Sequence, residues 1–109
     1  MKQLAVQDLA AHCAATPSIL LLDVREPWEV AHAAVTLPGV TTRNVPLAHM
    51  KAEIDRLDPS QPIVCICHHG VRSLQVVAFL ERQGFSAVYN LAGGIDAWSV
   101  QVDPGVPRY

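Results

Sequence analysis

The stretch IVCICHHGVRSLQVV, residues 63–77, joins two different hydrophobic patterns. Apolar and thiol side chains run without interruption up to Cys67, as is typical of a strand buried on both faces of a sheet. After Gly70 the apolar side chains return at helical spacing, and this pattern ends at Gly84, a common helix stop. Cys67 is therefore predicted to lie where a buried strand gives way to a helix.

The same two patterns alternate along the rest of the chain. Further strand-like runs cover residues 18–24 and 87–91, and helical patterns cover residues 4–15, 26–34, 47–57 and 93–102. This order predicts an α/β fold with three layers: a central, mostly parallel sheet of about five strands with helices on both faces. Ligands of such folds bind at the carboxyl ends of strands, where Asp23 and Cys67 are expected.

Composition limits the classes of partner. The 109 residues are half hydrophobic and 17% charged, with a net charge of −2, so we expect one globular domain and no basic surface for nucleic acid. No apolar stretch is long enough to cross a membrane. The odd set of Cys13, Cys65 and Cys67 favours free thiols in a reducing cytoplasm. Within it, Cys13 and Cys65 are interpreted as small core side chains.

Cys67 is the candidate nucleophile. If a helix starts near Val71, the backbone N–H groups of its first turn have no partner within the helix. Together with the positive end of the helix dipole, they favour an anion such as a thiolate. Gly70 permits a positive φ in this tight turn, and Arg72 is expected to add a positive charge at the rim.

A metal site is the competing interpretation of CICHH. Two thiols and two imidazoles are zinc-type ligands, but here they are too close together in the chain for one tetrahedral site. We therefore expect no metal and no other cofactor. His68 and His69 are interpreted as exposed loop residues, which would add to the positive potential when protonated.

Asp23 and the paired glycines can act in two ways each. We favour an ion pair of Asp23 with Arg25 or Arg72 over direct substrate contact, because a carboxylate would repel an anionic donor. Gly93 and Gly94 either let the backbone approach the thiol closely or simply form a turn into the next helix.

Four segments in the correct order resemble the rhodanese-like sulfurtransferases. CHHGVRS is similar to their active-site loop, which runs Cys-x-x-Gly-x-Arg-Ser in many single-domain members. LLDVREPWEV, FLERQGFSAVYNLAGGIDAW and the tail DPGVPRY also match, so that the resemblance covers nearly the whole chain. The chain departs from the family over residues 31–45, where only Pro38 and Gly39 match the usual Gly-His-Ile-Pro-Gly-Ala.

This resemblance implies a single rhodanese-like domain over residues 1–109 that transfers sulfane sulfur. Cys67 would take sulfur from a small donor such as thiosulfate, become a persulfide, and pass the sulfur to cyanide or a thiol in a ping-pong reaction. A sulfur-relay protein is a further possible partner. The substrate-binding loop would consist of His68, His69, Gly70, Val71, Arg72 and Ser73, supported by Asp23 and Arg25.

Two other function classes remain open. Phosphatases and arsenate reductases use a similar loop with five residues between cysteine and arginine, whereas four separate Cys67 from Arg72, and Ser73 holds the required position. The shorter loop favours a single sulfur atom over a tetrahedral oxyanion. A regulatory or sulfur-relay module of the same fold is the other alternative, although regulatory members commonly lack the cysteine.

Overall fold

Five parallel strands form the centre of the computed structural model, which describes residues 2–109. The strands are β1 Lys2–Leu4, β2 Leu20–Asp23, β3 Thr41–Asn44, β4 Ile63–Ile66 and β5 Val88–Leu91. Their order across the sheet is β1-β5-β4-β2-β3, and each neighbouring pair is parallel. The predicted parallel sheet is confirmed.

Helices cover both faces of this sheet. They are α1 Leu9–Ala15, α2 Pro27–His32, α3 Met50–Glu53, α4 Val71–Arg82 and α5 Gly94–Gln101, with short 3-10 turns at Val6–Asp8, Leu47–His49 and Ile54–Arg56. α3 and α4 pack on one face, and α1 and α5 pack on the other. Within residues 2–109, no helix combines the length and the apolar character that crossing a bilayer requires.

The central strands are apolar throughout because alternate side chains enter two different cores. Leu20 and Leu22 of β2 pack toward α3 and α4, whereas Leu21 between them packs toward α1 and α5. In β4, Cys65 joins the first core and Ile66 joins the second. In β2 the first polar side chain is Asp23 at the carboxyl end, and in β4 the chain reaches Cys67 only after the strand has ended.

Both edge strands differ from the sequence prediction. The helical pattern predicted from Leu4 is wrong at its start, since Leu4 belongs to β1 and α1 begins only at Leu9. β3 lies in the segment 31–45 and its residues are mostly exposed, so it has no hydrophobic run to mark it. Neither strand needs the apolar character of a central strand, because each pairs along only one edge.

We predict that Leu22→Ala destabilises the fold by about 2–5 kcal/mol, the usual cost of emptying a fully buried leucine site. Leu22 is completely buried in the core beneath α3 and α4. Urea unfolding measures the loss. The control Val100→Ala, on the exposed surface of α5, should change stability by less than about 0.5 kcal/mol. Equal losses in the two variants would contradict this account of the core.

Candidate active site

The sulfur of Cys67 lies directly beyond β4, at the carboxyl end of the sheet. Its side chain is buried, and the backbone N–H of Gly70 donates a hydrogen bond to the sulfur with an N···S distance of 3.1 Å. α4 starts at the next residue, Val71, so its positive end lies beside the same sulfur. Gly70 has φ +91°, a left-handed conformation that turns the chain from strand into helix.

Ser73 is the second donor near the sulfur, and it has one hydrogen to share between two neighbours. Its hydroxyl lies 3.2 Å from the Cys67 sulfur and also contacts the side-chain oxygen of Asn90. The Asn90 amide nitrogen donates to the Gly70 carbonyl and to Gln3, which fixes its oxygen toward Ser73. The hydroxyl can therefore donate to Asn90 while Cys67 is a thiol, and to the sulfur when the proton has left.

Backbone hydrogen bonds from the start of α5 hold the loop of residues 67–73. We call this loop the thiol loop. The N–H groups of Ile95 and Asp96 donate to the carbonyls of Cys67 and His68, at 2.9 and 3.0 Å. A side chain at Gly94 would place its Cβ 2.5 Å from both of those carbonyl oxygens. Both roles considered for the paired glycines are present at Gly94, which lets the backbone approach the thiol loop closely and also begins the helix.

Asp23 and Arg25 form a buried ion pair at the end of β2, as preferred from the sequence. The Arg25 guanidinium is fully buried and binds both carboxylate oxygens of Asp23, at 2.9 and 2.7 Å. It also donates to the carbonyls of Ala33 and Glu29. Burial opposes the charge of Arg25, but the bonds to Asp23 and to the Tyr109 hydroxyl outweigh it and raise the pKa. The divergent segment 31–45 thus contributes the Ala33 carbonyl to this pair.

Arg72 pairs with Glu29 of α2, a residue that the sequence analysis did not select. Two parallel hydrogen bonds of 2.7 and 2.8 Å join the guanidinium to the Glu29 carboxylate. These bonds lower the pKa of Glu29 to about 2, against the opposing effect of burial, so the carboxylate is ionised at neutral pH. Arg72 therefore brings the expected positive charge to this position, and Glu29, which the sequence analysis did not consider, balances it.

Tyr109 connects these two ion pairs. Its hydroxyl accepts a hydrogen bond from Arg25 at 2.9 Å and donates one to Glu29 at 2.8 Å. Burial raises the pKa of Tyr109, which keeps the donating proton in place. The tyrosine ring stacks on His68 with a centroid separation of 3.8 Å, so the end of the tail contacts the thiol loop directly.

The two histidines of the thiol loop differ from the sequence prediction in part. His69 is exposed as expected. His68 is half-buried between the rings of Tyr109 and His69, and burial, followed by the charge of His69, lowers its pKa. Because its pKa lies below the ordinary value, His68 is neutral at physiological pH and does not add to the positive potential.

A possible metal-ligand group accompanies these histidines. Ligand atoms of His68, His69 and Asp96 lie within 4.8 Å of one another. The two imidazole rings are stacked on each other with a centroid separation of 3.9 Å, and the Asp96 carboxylate already binds the Arg108 guanidinium. Both features oppose metal binding at this position.

The remaining thiols are buried. Cys65 lies within β4, where burial raises its pKa far above the ordinary value, with a smaller contribution from Cys67. Burial also raises the pKa of Cys13 on α1. Cys67 is thus distinguished from both by the backbone and hydroxyl donors around its sulfur.

The fold and this arrangement define a class of α/β proteins with a cysteine loop at the carboxyl end of a parallel sheet. The Rhodanese-like domain family matches residues 5–101, and the chain belongs to that family. A thiosulfate sulfurtransferase GlpE of Pseudoalteromonas translucida is 33% identical over 95 residues, covering 83% of this chain and 82% of the relative.

Two further comparisons agree with this family. The rhodanese-like/PpiC domain-containing protein 12, chloroplastic, of Arabidopsis thaliana is 41% identical over 93 residues, which are 82% of this chain but only 30% of that longer protein. The crystal structure of a rhodanese-related protein from Thermoplasma volcanium superposes with a TM-score of 0.79 at 26% identity, with both chains fully covered. The observed fold is therefore the rhodanese-like fold.

We predict that Gly94→Ala destabilises the protein more than Gly39→Ala. Both glycines have positive φ, so each alanine incurs a cost of about 1–2 kcal/mol for the left-handed backbone. Only at Gly94 does the new Cβ also collide with the carbonyls of the thiol loop, whereas Gly39 faces open space. Urea unfolding of both variants measures the difference, and equal losses would show that α5 does not hold the loop in this way.

Proposed function

We propose that the chain is a sulfurtransferase that carries sulfane sulfur as a persulfide on Cys67. The observation that supports this most directly is the hydrogen bonding of the sulfur, which is approached by the Gly70 N–H and the Ser73 hydroxyl at the start of α4. These groups favour a negatively charged sulfur over a neutral one. The relatives named as sulfurtransferases support the same reaction class.

In the first half-reaction, the Cys67 thiolate attacks the sulfane sulfur of a donor. With thiosulfate, the new bond joins Cys67 to the sulfane sulfur, the old S–S bond breaks, and its electron pair leaves with sulfite. The product is a persulfide whose outer sulfur is anionic in its reactive form. The donors of the thiol loop that favour the thiolate also stabilise this anion, so no separate general base is required.

In the second half-reaction, an acceptor nucleophile attacks the outer sulfur of the persulfide. The S–S bond on Cys67 breaks and returns the thiolate, while the acceptor leaves as thiocyanate if it was cyanide, or as a persulfide if it was a thiol. The Ser73 hydroxyl can follow the negative charge, because it can turn from Asn90 to the sulfur. Acceptors on small molecules and on partner proteins are both compatible with this step.

The contacts of Gly70 and Arg72 favour sulfur transfer over phosphate-ester hydrolysis. The Gly70 N–H is directed at the Cys67 sulfur, and Arg72, which an oxyanion would need, is bound by two hydrogen bonds to Glu29. A regulatory module of the same fold would require no such donors at a thiol. We therefore favour sulfur transfer over these two alternatives. Relay of the sulfur to a partner protein would use the same chemistry with a different acceptor.

We predict that Cys67→Ser abolishes formation of thiocyanate from thiosulfate and cyanide, whereas Cys65→Ala retains most of it. Cys67 alone has the donors that support a covalent persulfide, and the pKa of the Cys65 thiol is raised by burial. Intact mass after thiosulfate treatment should increase by one sulfur atom in the wild type and in Cys65→Ala. The proposal fails if Cys67→Ser still gains sulfur.

A second prediction separates the competing enzyme class. The wild type should release no phosphate from an aryl phosphate under conditions in which it forms thiocyanate, because Arg72 is not available to bind a phosphoryl group. Both assays use the same preparation, and Cys67→Ser provides the background rate of each. Hydrolysis of the ester without any thiocyanate would replace sulfur transfer by the phosphatase class.

A further inference from the structure

Both arginines beside the thiol loop are already neutralised by carboxylates. Arg25 is fully buried against Asp23, and Arg72 is held by Glu29. Of the two pairs, only the second reaches the surface, since about a third of the Arg72 side chain is exposed. The charge that a donor meets at this surface is therefore set by Arg72 and Glu29 together.

The other titratable groups near the thiol loop do not restore a positive charge. His68 is neutral because burial lowers its pKa. The Asp96 carboxylate lies 4.0 Å from His69 and is also bound by Arg108. Attraction of an anion thus falls to the backbone N–H groups of the thiol loop, which act on the sulfur itself rather than on the remainder of a donor.

An exposed apolar residue directly precedes each member of the Glu29–Arg72 pair in the chain. Trp28 precedes Glu29 on α2, Val71 precedes Arg72 at the start of α4, and each is 65% exposed. The Trp28 ring meets the Tyr109 ring edge-on at a centroid separation of 6.1 Å, and the Tyr109 hydroxyl donates to Glu29, so Trp28 is linked to the ion pair through Tyr109. We call these four residues the rim. Exposed large apolar groups at such a position can contact an apolar ligand at little cost in polar desolvation.

These features distinguish two kinds of sulfur donor. Thiosulfate is a dianion. The part of it that does not bond to Cys67 is a sulfonate group, which leaves as sulfite and gains most from a free cation. In an organic persulfide R–S–SH, the group left at the rim is R, which can be uncharged. A neutralised arginine with apolar neighbours suits the second kind.

We propose that Glu29 determines donor specificity by neutralising Arg72, so that the site prefers persulfides of thiols with an uncharged, apolar carrier over thiosulfate. This inference rests on the proposed function and narrows its donor. The Cys67 thiolate attacks the outer sulfur of R–S–SH, and the S–S bond breaks. The electron pair leaves with R–S⁻, which takes a proton from water, and the persulfide remains on Cys67.

Glu29→Gln tests the proposal, with benzyl hydropersulfide and thiosulfate as the two donors. The amide keeps the shape of the carboxylate and one acceptor oxygen, which can serve Tyr109. It removes the negative charge that balances Arg72 and the second acceptor oxygen, which receives the Glu26 N–H. The KM for thiosulfate should fall by about three- to tenfold, the range expected for one partly screened charge pair. The KM for benzyl hydropersulfide should change by less than about twofold.

Two matched variants show whether Arg72 is the cause. Glu81→Gln makes the same substitution at an exposed site near the end of α4, far along the helix from Arg72, and should leave both KM values unchanged. The double variant Glu29→Gln/Arg72→Gln should lose the gain for thiosulfate, since no released charge remains. A gain that persists in the double variant, or appears in Glu81→Gln, would overturn the role of Glu29.

Measurements with benzyl hydropersulfide as the donor also separate this inference from the proposed function. Trp28→Ala should raise the KM for benzyl hydropersulfide by at least about threefold while leaving that for thiosulfate nearly unchanged, as loss of an apolar contact predicts. If wild-type Cys67 gains sulfur from neither donor, the proposed function fails. If it gains sulfur from both, but Glu29→Gln leaves the thiosulfate KM unaltered, only the inference about Glu29 fails.

Discussion

The start of α5 holds the thiol loop through two backbone hydrogen bonds, and the arrangement of donors around the Cys67 sulfur depends on them. With the carbonyls of Cys67 and His68 bound to Ile95 and Asp96, the loop is fixed so that its Gly70 N–H points at the sulfur. The contact is possible only because Gly94 has no side chain. Donors that are already oriented need no reorganisation when negative charge develops on the sulfur, which is the advantage of building such a site from backbone.

A second layer of polar groups supports the same loop from the side of β2 and α2. Arg25 is fully buried and could not remain so without Asp23, because an unpaired buried charge costs several kcal/mol. Tyr109 joins this pair to Glu29 and stacks on His68. Burial of a charged network in this position provides little net stability. It does fix where Arg72 and the loop histidine can lie.

The elements that bury apolar surface could be predicted from the sequence. The edge strands and the contacts between residues far apart in the chain could not. β2, β4 and α4 are visible as patterns because each contributes consecutive side chains to the core. β1 and β3 are short edge strands with little apolar character, so their pairing is decided by the sheet rather than by their own residues. Asp23 and Arg25 could be paired because they are neighbours in the chain. Glu29 and Arg72 lie 43 residues apart, and nothing local in either segment indicates the contact.

The groups that attract negative charge at this site therefore belong partly to the backbone and partly to side chains. A sequence motif alone does not reveal this division. An arginine in a loop motif is naturally interpreted as an anion-binding group, and only the position of Glu29 reveals that its charge is balanced. The N–H of Gly70 donates a hydrogen bond directly to the sulfur, whereas Arg72 acts on whatever lies beside it at the surface. In the proposed reaction, stabilising the sulfur anion and selecting the donor are therefore separable: the backbone of the thiol loop would do the first, and the carboxylate that α2 places against Arg72 would do the second.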